Sequence, residues 1–170
     1  QDYNIGVVLT KLDVLGLAGN TTVVVFGDHG WQLGEHDTWA KMTNFELATR
    51  TPLFIRCPWK YASIGAVSRA FVELVDLYPT LAALSGLAEP QSIGEAVNGT
   101  SIAPLFDAPQ GAVVKDAAFS QFGKVNLTSI FNKFHRNQTR YMGYSIRIVG
   151  WRYTCWFNFD QVGIAPITTS

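Results

Sequence analysis

Asp28 and His29 stand side by side directly after an apolar run, with Gly30 and Trp31 next and Lys41 further along. A carboxylate beside an imidazole can bind a metal. The Asp oxygen suits a hard cation such as Ca²⁺, while imidazole is more usual for transition metals, so the pair alone does not name an ion. A purely structural role is equally open to it, with Asp28 capping the following turn and His29 a satisfied polar residue. Lys41 taken alone is a surface lysine. Trp31 and Trp39 invite stacking on a sugar ring, and each also suits a core or rim position. Glu35 and His36 read as groups whose hydrogen bonds hold the loop carrying Asp28 and Lys41.

The elements that must position these residues follow from periodicity. Ile5, Val8, Leu9, Leu12 and Leu15 recur at steps of three and four over residues 1–17, which predicts a helix with one buried face, ended by Gly16 and Gly19. Residues 21–26, TTVVVF, form a continuous β-branched and aromatic run of strand length, followed by a polar loop. Helix, turn, apolar strand and polar loop make the αβ unit of an open, largely parallel sheet, and ligands bind at the carboxyl end of such strands. Asp28 and His29 lie there.

A second run, residues 52–57 between Pro52 and Pro58, predicts the neighbouring strand. Residues 72–86 predict a helix capped by Asp76, tolerant of Pro79 in its first turn and stopped by Gly86. Residues 87–115 read as a surface connection with at most one short helix. Met142, Tyr144, Ile146 and Ile148 alternate, as do Trp151, Tyr153, Cys155 and Phe157, so an antiparallel hairpin turns at Val149 and Gly150. The chain is therefore read as α/β, with residues 1–115 belonging to a mixed sheet flanked by helices and residues 116–170 to a small antiparallel β subdomain.

From Phe26 the chain runs FGDHGWQLGEHDTWAKMTNFELATRTPLFI. This resembles the DHGxxLGEHxxWxK stretch of the sulfatase family, within the alkaline phosphatase superfamily, followed by that family's N-F-x-x-A-T-x-x-P-L segment. Three further segments match in order: residues 72–87 (VELVDLYPTLAALSGL), residues 118–121 (AFSQ) and residues 141–156 (YMGYSIRIVGWRYTCW). The pattern is similar to sulfatases of the iduronate-2-sulfatase type and covers nearly the whole chain. The resemblance implies a sulfuric ester hydrolase that removes 2-O-sulfate from uronic acids of heparan or dermatan sulfate type glycosaminoglycans. It makes Asp28 and His29 ligands on the calcium side of the site, Lys41 a donor to the substrate sulfate, and Trp31 a substrate-contacting ring. A divalent cation with a lysine ammonium stabilises charge that develops on sulfate oxygens.

Part of the family pattern is missing. Sulfatases use a formylglycine made from Cys or Ser in C/S-x-P-x-R, and neither Cys57 nor Cys155 lies in that motif. The tandem aspartates that complete the calcium shell are also missing, as are the upstream Arg, Lys and His around the sulfate and the Y-D-x-x-x-D-P-x-E type segment after the hairpin. The expectation is a C-terminal portion that is inactive alone and works when joined to an N-terminal half. Two other readings stay open: a phosphonate monoester or phosphodiester hydrolase of the same superfamily, and a non-catalytic truncated remnant.

Composition narrows the partners. The chain has 170 residues, 48% of them apolar, enough for a sizeable core. Thirteen basic and thirteen acidic side chains cancel, so there is no broad basic field for nucleic acid. No apolar run is long enough to span a bilayer. Sequons at Asn20, Asn98, Asn126 and Asn137 point to the secretory pathway and a lysosomal or secreted glycoprotein, although the first residues do not read as a signal peptide. His135, in the sequon-bearing stretch, reads as exposed. Cys57 and Cys155 read as buried small hydrophobes, and a bridge between them does not follow from sequence.

Overall fold

The computed structural model describes residues 1–125 and 139–168. Asn126, His135 and Asn137 lie outside them. The chain divides into two compact units, residues 1–26 with 52–116, and residues 27–51 with 117–170.

The first unit begins with helix α1, Asp2–Val14. Strand β1, Val23–Phe26, pairs with β4, Leu53–Arg56, in a two-stranded sheet. The pairing is antiparallel, with Val23 opposite Arg56 and Phe26 opposite Leu53, which corrects the expectation of a parallel neighbour. The reason lies in the intervening segment: the Gly30 amide donates to the Ala48 carbonyl at 2.9 Å, so the excursion closes on itself and the chain returns alongside β1 in the opposite direction. Helix α3, Leu77–Leu84, closes with the Gly86 amide on Ala83 O and the Leu87 amide on Ala82 O, the bond pattern of a Schellman motif.

The core of this unit is Cys57, Leu84, Ile102, Leu105 and Phe106. Three of the five come from the stretch read as a surface connection. Pro104 starts a short helix α4, Pro104–Asp107, whose Leu105 and Phe106 turn inward. The low-periodicity sequence around them hid a single apolar anchor point.

Asp76 also departs from expectation. Its carboxylate is wholly buried and does not cap α3. It instead accepts the Glu73 amide at 2.8 Å and the Thr100 amide at 2.8 Å, and pairs with Lys115 at 2.6 Å. Burial alone would push the Lys115 ammonium down, but the hydrogen bonds it donates to Asp76 and Glu73 outweigh it and hold the group above its ordinary value. The apolar stripe of α1 is not buried either, with Val8 60% and Leu15 54% exposed, because the stripe meets too little of the described chain to leave water.

In the second unit, strands β2, Gln32–Leu33, and β3, Trp39–Ala40, form a short antiparallel pair followed by helix α2, Glu46–Thr49. The sheet of this unit is four-stranded and antiparallel, in the order β5, Ala118–Val125, β6, Thr139–Ile148, β7, Trp151–Asp160, and β8, Ala165–Ile167. The expected hairpin is β6 and β7, with Ile148 opposite Trp151 and Gly150 at positive φ in the turn. Both cysteines are free thiols, Cys57 buried and Cys155 half-buried. Among the described residues, no helix is long and apolar enough to cross a membrane.

Candidate functional site

The loop after β1 brings Asp28, His29 and Lys41 together. The Oδ1 of Asp28 lies 3.4 Å from Nε2 of His29, and the Lys41 ammonium is hydrogen-bonded to that same nitrogen. On the other side of the ring, Nδ1 is 2.7 Å from the Gly30 carbonyl oxygen. A carbonyl only accepts, so Nδ1 carries the proton and the Nε2 lone pair faces Asp28 and Lys41. Asp28 is exposed and His29 half-buried, so a ligand reaches the pair from solvent. Trp31 stands beside them, half-exposed, its ring centroid 6.0 Å from that of His29.

Local packing explains why this loop is held. Gly30 lies against α2 so closely that a Cβ there would fall 2.0 Å from the Leu47 carbonyl oxygen; only glycine fits. Gln32 is fully buried in the loop and uses its whole amide. It donates to Thr38 Oγ1 at 2.6 Å and to Glu35 O at 3.3 Å, and accepts from Thr43 Oγ1 at 2.7 Å. Those bonds span both flanks of Lys41. Ala40 adopts φ +71°, a left-handed conformation costing a non-glycine residue roughly 1 to 2 kcal/mol. It interrupts the strand alternation just before Lys41, so Trp39 and Lys41 need not share a face.

Glu35 holds the loop by a hydrogen bond, as read from the sequence, whereas His36 contributes a ring contact in place of the expected hydrogen bond. Glu35 Oε2 accepts the Leu33 amide at 2.7 Å, and that bond, with one from its own amide, holds its carboxyl below the usual value. The His36 ring stacks on Phe45 with centroids 4.2 Å apart.

The sequence reading missed the residues that tie this loop to the four-stranded sheet. Arg152 on β7 donates to Glu46 Oε2 at 2.8 Å, Thr49 Oγ1 at 3.1 Å, Asn44 O at 3.0 Å and Ser145 Oγ at 3.2 Å. Arg147 reaches Glu46 Oε2 from Nε at 3.1 Å, and Asn44 Nδ2 donates to Gly143 O at 2.9 Å. Burial would push the Glu46 carboxyl up, yet Arg152 and Arg147 together hold it below its ordinary value. The signal was available: Asn44 and Glu46 lie in the N-F-E-L-A-T segment, Gly143, Ser145 and Arg147 in M-G-Y-S-I-R.

Among the described residues no group of three or more His, Cys, Asp and Glu side chains is placed to hold a metal. Asp28 and His29 converge well enough to contribute two ligands. A hard cation takes roughly six to eight oxygens, more than this pair supplies.

Residues 1–87 match the family described as Sulfatase. The chain belongs to the sulfatase family. It is 35% identical to iduronate 2-sulfatase of Mus musculus over 94% of this chain and 36% of that protein. It therefore spans about a third of the length of that relative. Among solved structures, it is similar to a protein in complex with its substrate D-glucosamine-2-N,6-O-disulfate, at TM-score 0.66 and 26% identity, over 95% of this chain and 32% of that one. A phosphonate monoester hydrolase from Silicibacter pomeroyi matches at TM-score 0.66 and 26% identity, over 92% and 32%. The mixed α/β architecture of this sulfatase-family chain is thus that of the sulfatase and alkaline phosphatase-like fold.

Proposed function

We propose that this chain carries the metal-facing and sulfate-facing side of an iduronate-2-sulfatase-like hydrolase, which removes 2-O-sulfate from uronic acid residues of glycosaminoglycans of the heparan or dermatan sulfate type. The observation that carries the reading is the convergence of Asp28, His29 and Lys41 on one imidazole nitrogen. Asp28 and His29 are the calcium ligands supplied by this chain. Lys41 donates to a sulfate oxygen, and Trp31 covers one face of the sugar that bears it.

The Nε2 lone pair of His29 and the ammonium of Lys41 now satisfy one another. Asp28 and His29 would hold the cation, leaving the Lys41 ammonium as a hydrogen-bond donor to an anion. Calcium, when bound, supplies positive charge toward the sulfate oxygens. The protein's own contribution is orientation: Gly30 O fixes the imidazole tautomer, Gln32 fixes the loop, and Lys41 delivers a proton-bearing donor to the developing negative charge.

The attacking formylglycine and the remaining ligands belong to an N-terminal half, joined in the same protein. The chain alone is expected to be inactive. A lysosomal or secreted location accords with exposed sequon residues Asn20 and Asn98. The test is to join the chain to an N-terminal half bearing C/S-x-P-x-R and to follow hydrolysis of a sulfated aryl ester. Asp28→Ala and Lys41→Ala are each expected to lower kcat by about a hundredfold or more. Unchanged activity in Asp28→Ala overturns the metal-ligand assignment.

A second reading, phosphonate monoester or phosphodiester hydrolysis, is favoured by the likeness to the phosphonate monoester hydrolase. Comparing rates on sulfate and phosphonate aryl esters with the same joined protein decides between them, since faster phosphonate cleavage excludes the sulfatase reading.

A further inference from the structure

We propose that the open cleft beside the Lys41 loop, walled by Trp39, Phe45, Phe122 and Trp156 and carrying the Lys124 ammonium, is a subsite for a second sugar residue bearing a sulfate or carboxylate group. This rests on the reading of Lys41 as the sulfate donor and extends it from one sugar to an oligosaccharide.

The cleft measures about 640 Å³, within the range of small-ligand sites. Its rings remain in water: Trp39 is 71% exposed, Phe45 42% and Trp156 40%. Exposed rings at a concave surface offer the apolar face on which the C–H side of a pyranose rests, while the sugar hydroxyls stay hydrated.

These rings are also pre-positioned. Trp39 lies on Gly34, where a Cβ would sit 3.7 Å from Cζ2 of its indole. Trp156 abuts Gly143, where a Cβ would sit 2.8 Å from Cη2, and His36 backs Phe45. A ligand therefore pays little to order them.

Charge selects the occupant. Lys124 Nζ stands 4.8 Å from the centroid of the Trp156 ring, a cation–π contact that parks the ammonium on the cleft wall. Among the described residues it pairs with no carboxylate, so its charge is available to an anion. Asp37, also in the lining, accepts from hydroxyls and repels an anion, which confines the anionic group of the sugar to the Lys124 side of the cleft. Trp39 and Met42 of the lining flank Lys41 in sequence, so one wall of the cleft is the loop that carries Lys41. A polymeric substrate seated at Lys41 would lay its next residue here.

The test is calorimetric titration of the joined protein described above, with calcium present and the nucleophile of its C/S-x-P-x-R replaced by alanine to prevent turnover, using a heparin-derived hexasaccharide and its fully desulfated, carboxyl-reduced counterpart. A third probe is the desulfated form that keeps its carboxylates. Lys124→Gln is expected to weaken the sulfated probe about fivefold and leave the neutral one unchanged. Trp39→Ala is expected to weaken all three by about tenfold. An effect of Lys124→Gln on the carboxylate-only probe assigns the anion as uronate, and its absence there assigns sulfate. Lys41→Ala separates this proposal from the one beneath it. Loss of binding in Lys41→Ala with none in Lys124→Gln overturns the cleft and keeps the sulfate position. The reverse keeps the cleft and overturns the role given to Lys41. Equal weakening by Lys11→Gln, on helix α1 of the other unit, would reduce the effect of Lys124 to general charge and overturn the subsite.

Discussion

The guanidinium of Arg152 on β7 is joined to the carboxylate of Glu46 on α2 by a 2.8 Å hydrogen bond between Nη2 and Oε2. The two residues are far apart in sequence, and the bond fastens the loop that carries Asp28, His29 and Lys41 to the four-stranded sheet. Both groups are partly shielded, so the pair should be worth more than a surface ion pair. Double-mutant cycles on Glu46→Gln and Arg152→Lys, read by urea unfolding, should give a coupling of about 1 to 2 kcal/mol. Additive effects of the two substitutions would show that the contact contributes nothing specific.

The same carboxyl makes the loop acid-sensitive. Its folded-state value lies below the ordinary one, so its contribution is fully present above the ordinary carboxylate range and is lost as pH falls through the lowered folded value. Stability measured on the acid side should therefore fall less steeply in Glu46→Gln than in the parent chain. Parallel curves would remove Glu46 from the acid response.

Lys115, bonded to Asp76, gives the opposite sign. The Lys115 value is raised in the folded state, so its contribution is complete below the ordinary lysine range and is lost as pH rises through the raised value. Because Asp76 is wholly buried with two backbone amides and an ammonium on it, Asp76→Ala should cost about 3 kcal/mol. Asp76→Ala combined with Lys115→Met should cost less than the sum of Asp76→Ala and Lys115→Met taken singly, since the contact between the two is lost only once and Glu73 loses the Lys115 ammonium whenever Lys115 is replaced. Thermal unfolding of the three variants measures this.

Gly30→Ala should destabilise the loop by about 2 kcal/mol, because the added methyl meets the Leu47 and Arg50 carbonyl oxygens and the backbone must move. The His29 ring, held by the Gly30 carbonyl, should then lose its single tautomer. Nitrogen chemical shifts of the imidazole report both points: a protonated Nδ1 in the parent chain and averaged signals in Gly30→Ala.

Sequence periodicity located most elements correctly. Alternation specified the facing ends and register of β6 and β7 and stopped three residues short of each outer end, because a pleated strand repeats every two positions and a one-residue slip would exchange its faces. The helix over residues 77–84 was legible from its stop at Gly86, whose bonds are local. The family itself was legible in the string from Phe26 onward, since a motif needs only order and spacing. Direction of pairing was not legible: the apolar runs of β1 and β4 fit a parallel or an antiparallel neighbour equally well. Nor was the anchoring role of Ile102, Leu105 and Phe106, where a short apolar cluster amid Gly and Pro carries no period.

For the candidate site the division is similar. The types of Asp28, His29 and Lys41, and hence their chemistry, were set by the sequence by itself. Their meeting at one nitrogen of His29 was decided only in three dimensions, by a buried Gln32, a glycine pressed against α2, and an arginine from β7 that closes the loop. Local order dictates which groups are present and which short elements form. The placement of those groups within hydrogen-bonding reach depends on partners distant along the chain, such as Glu46 and Arg152, whose interaction energy exists only once the fold has brought them together.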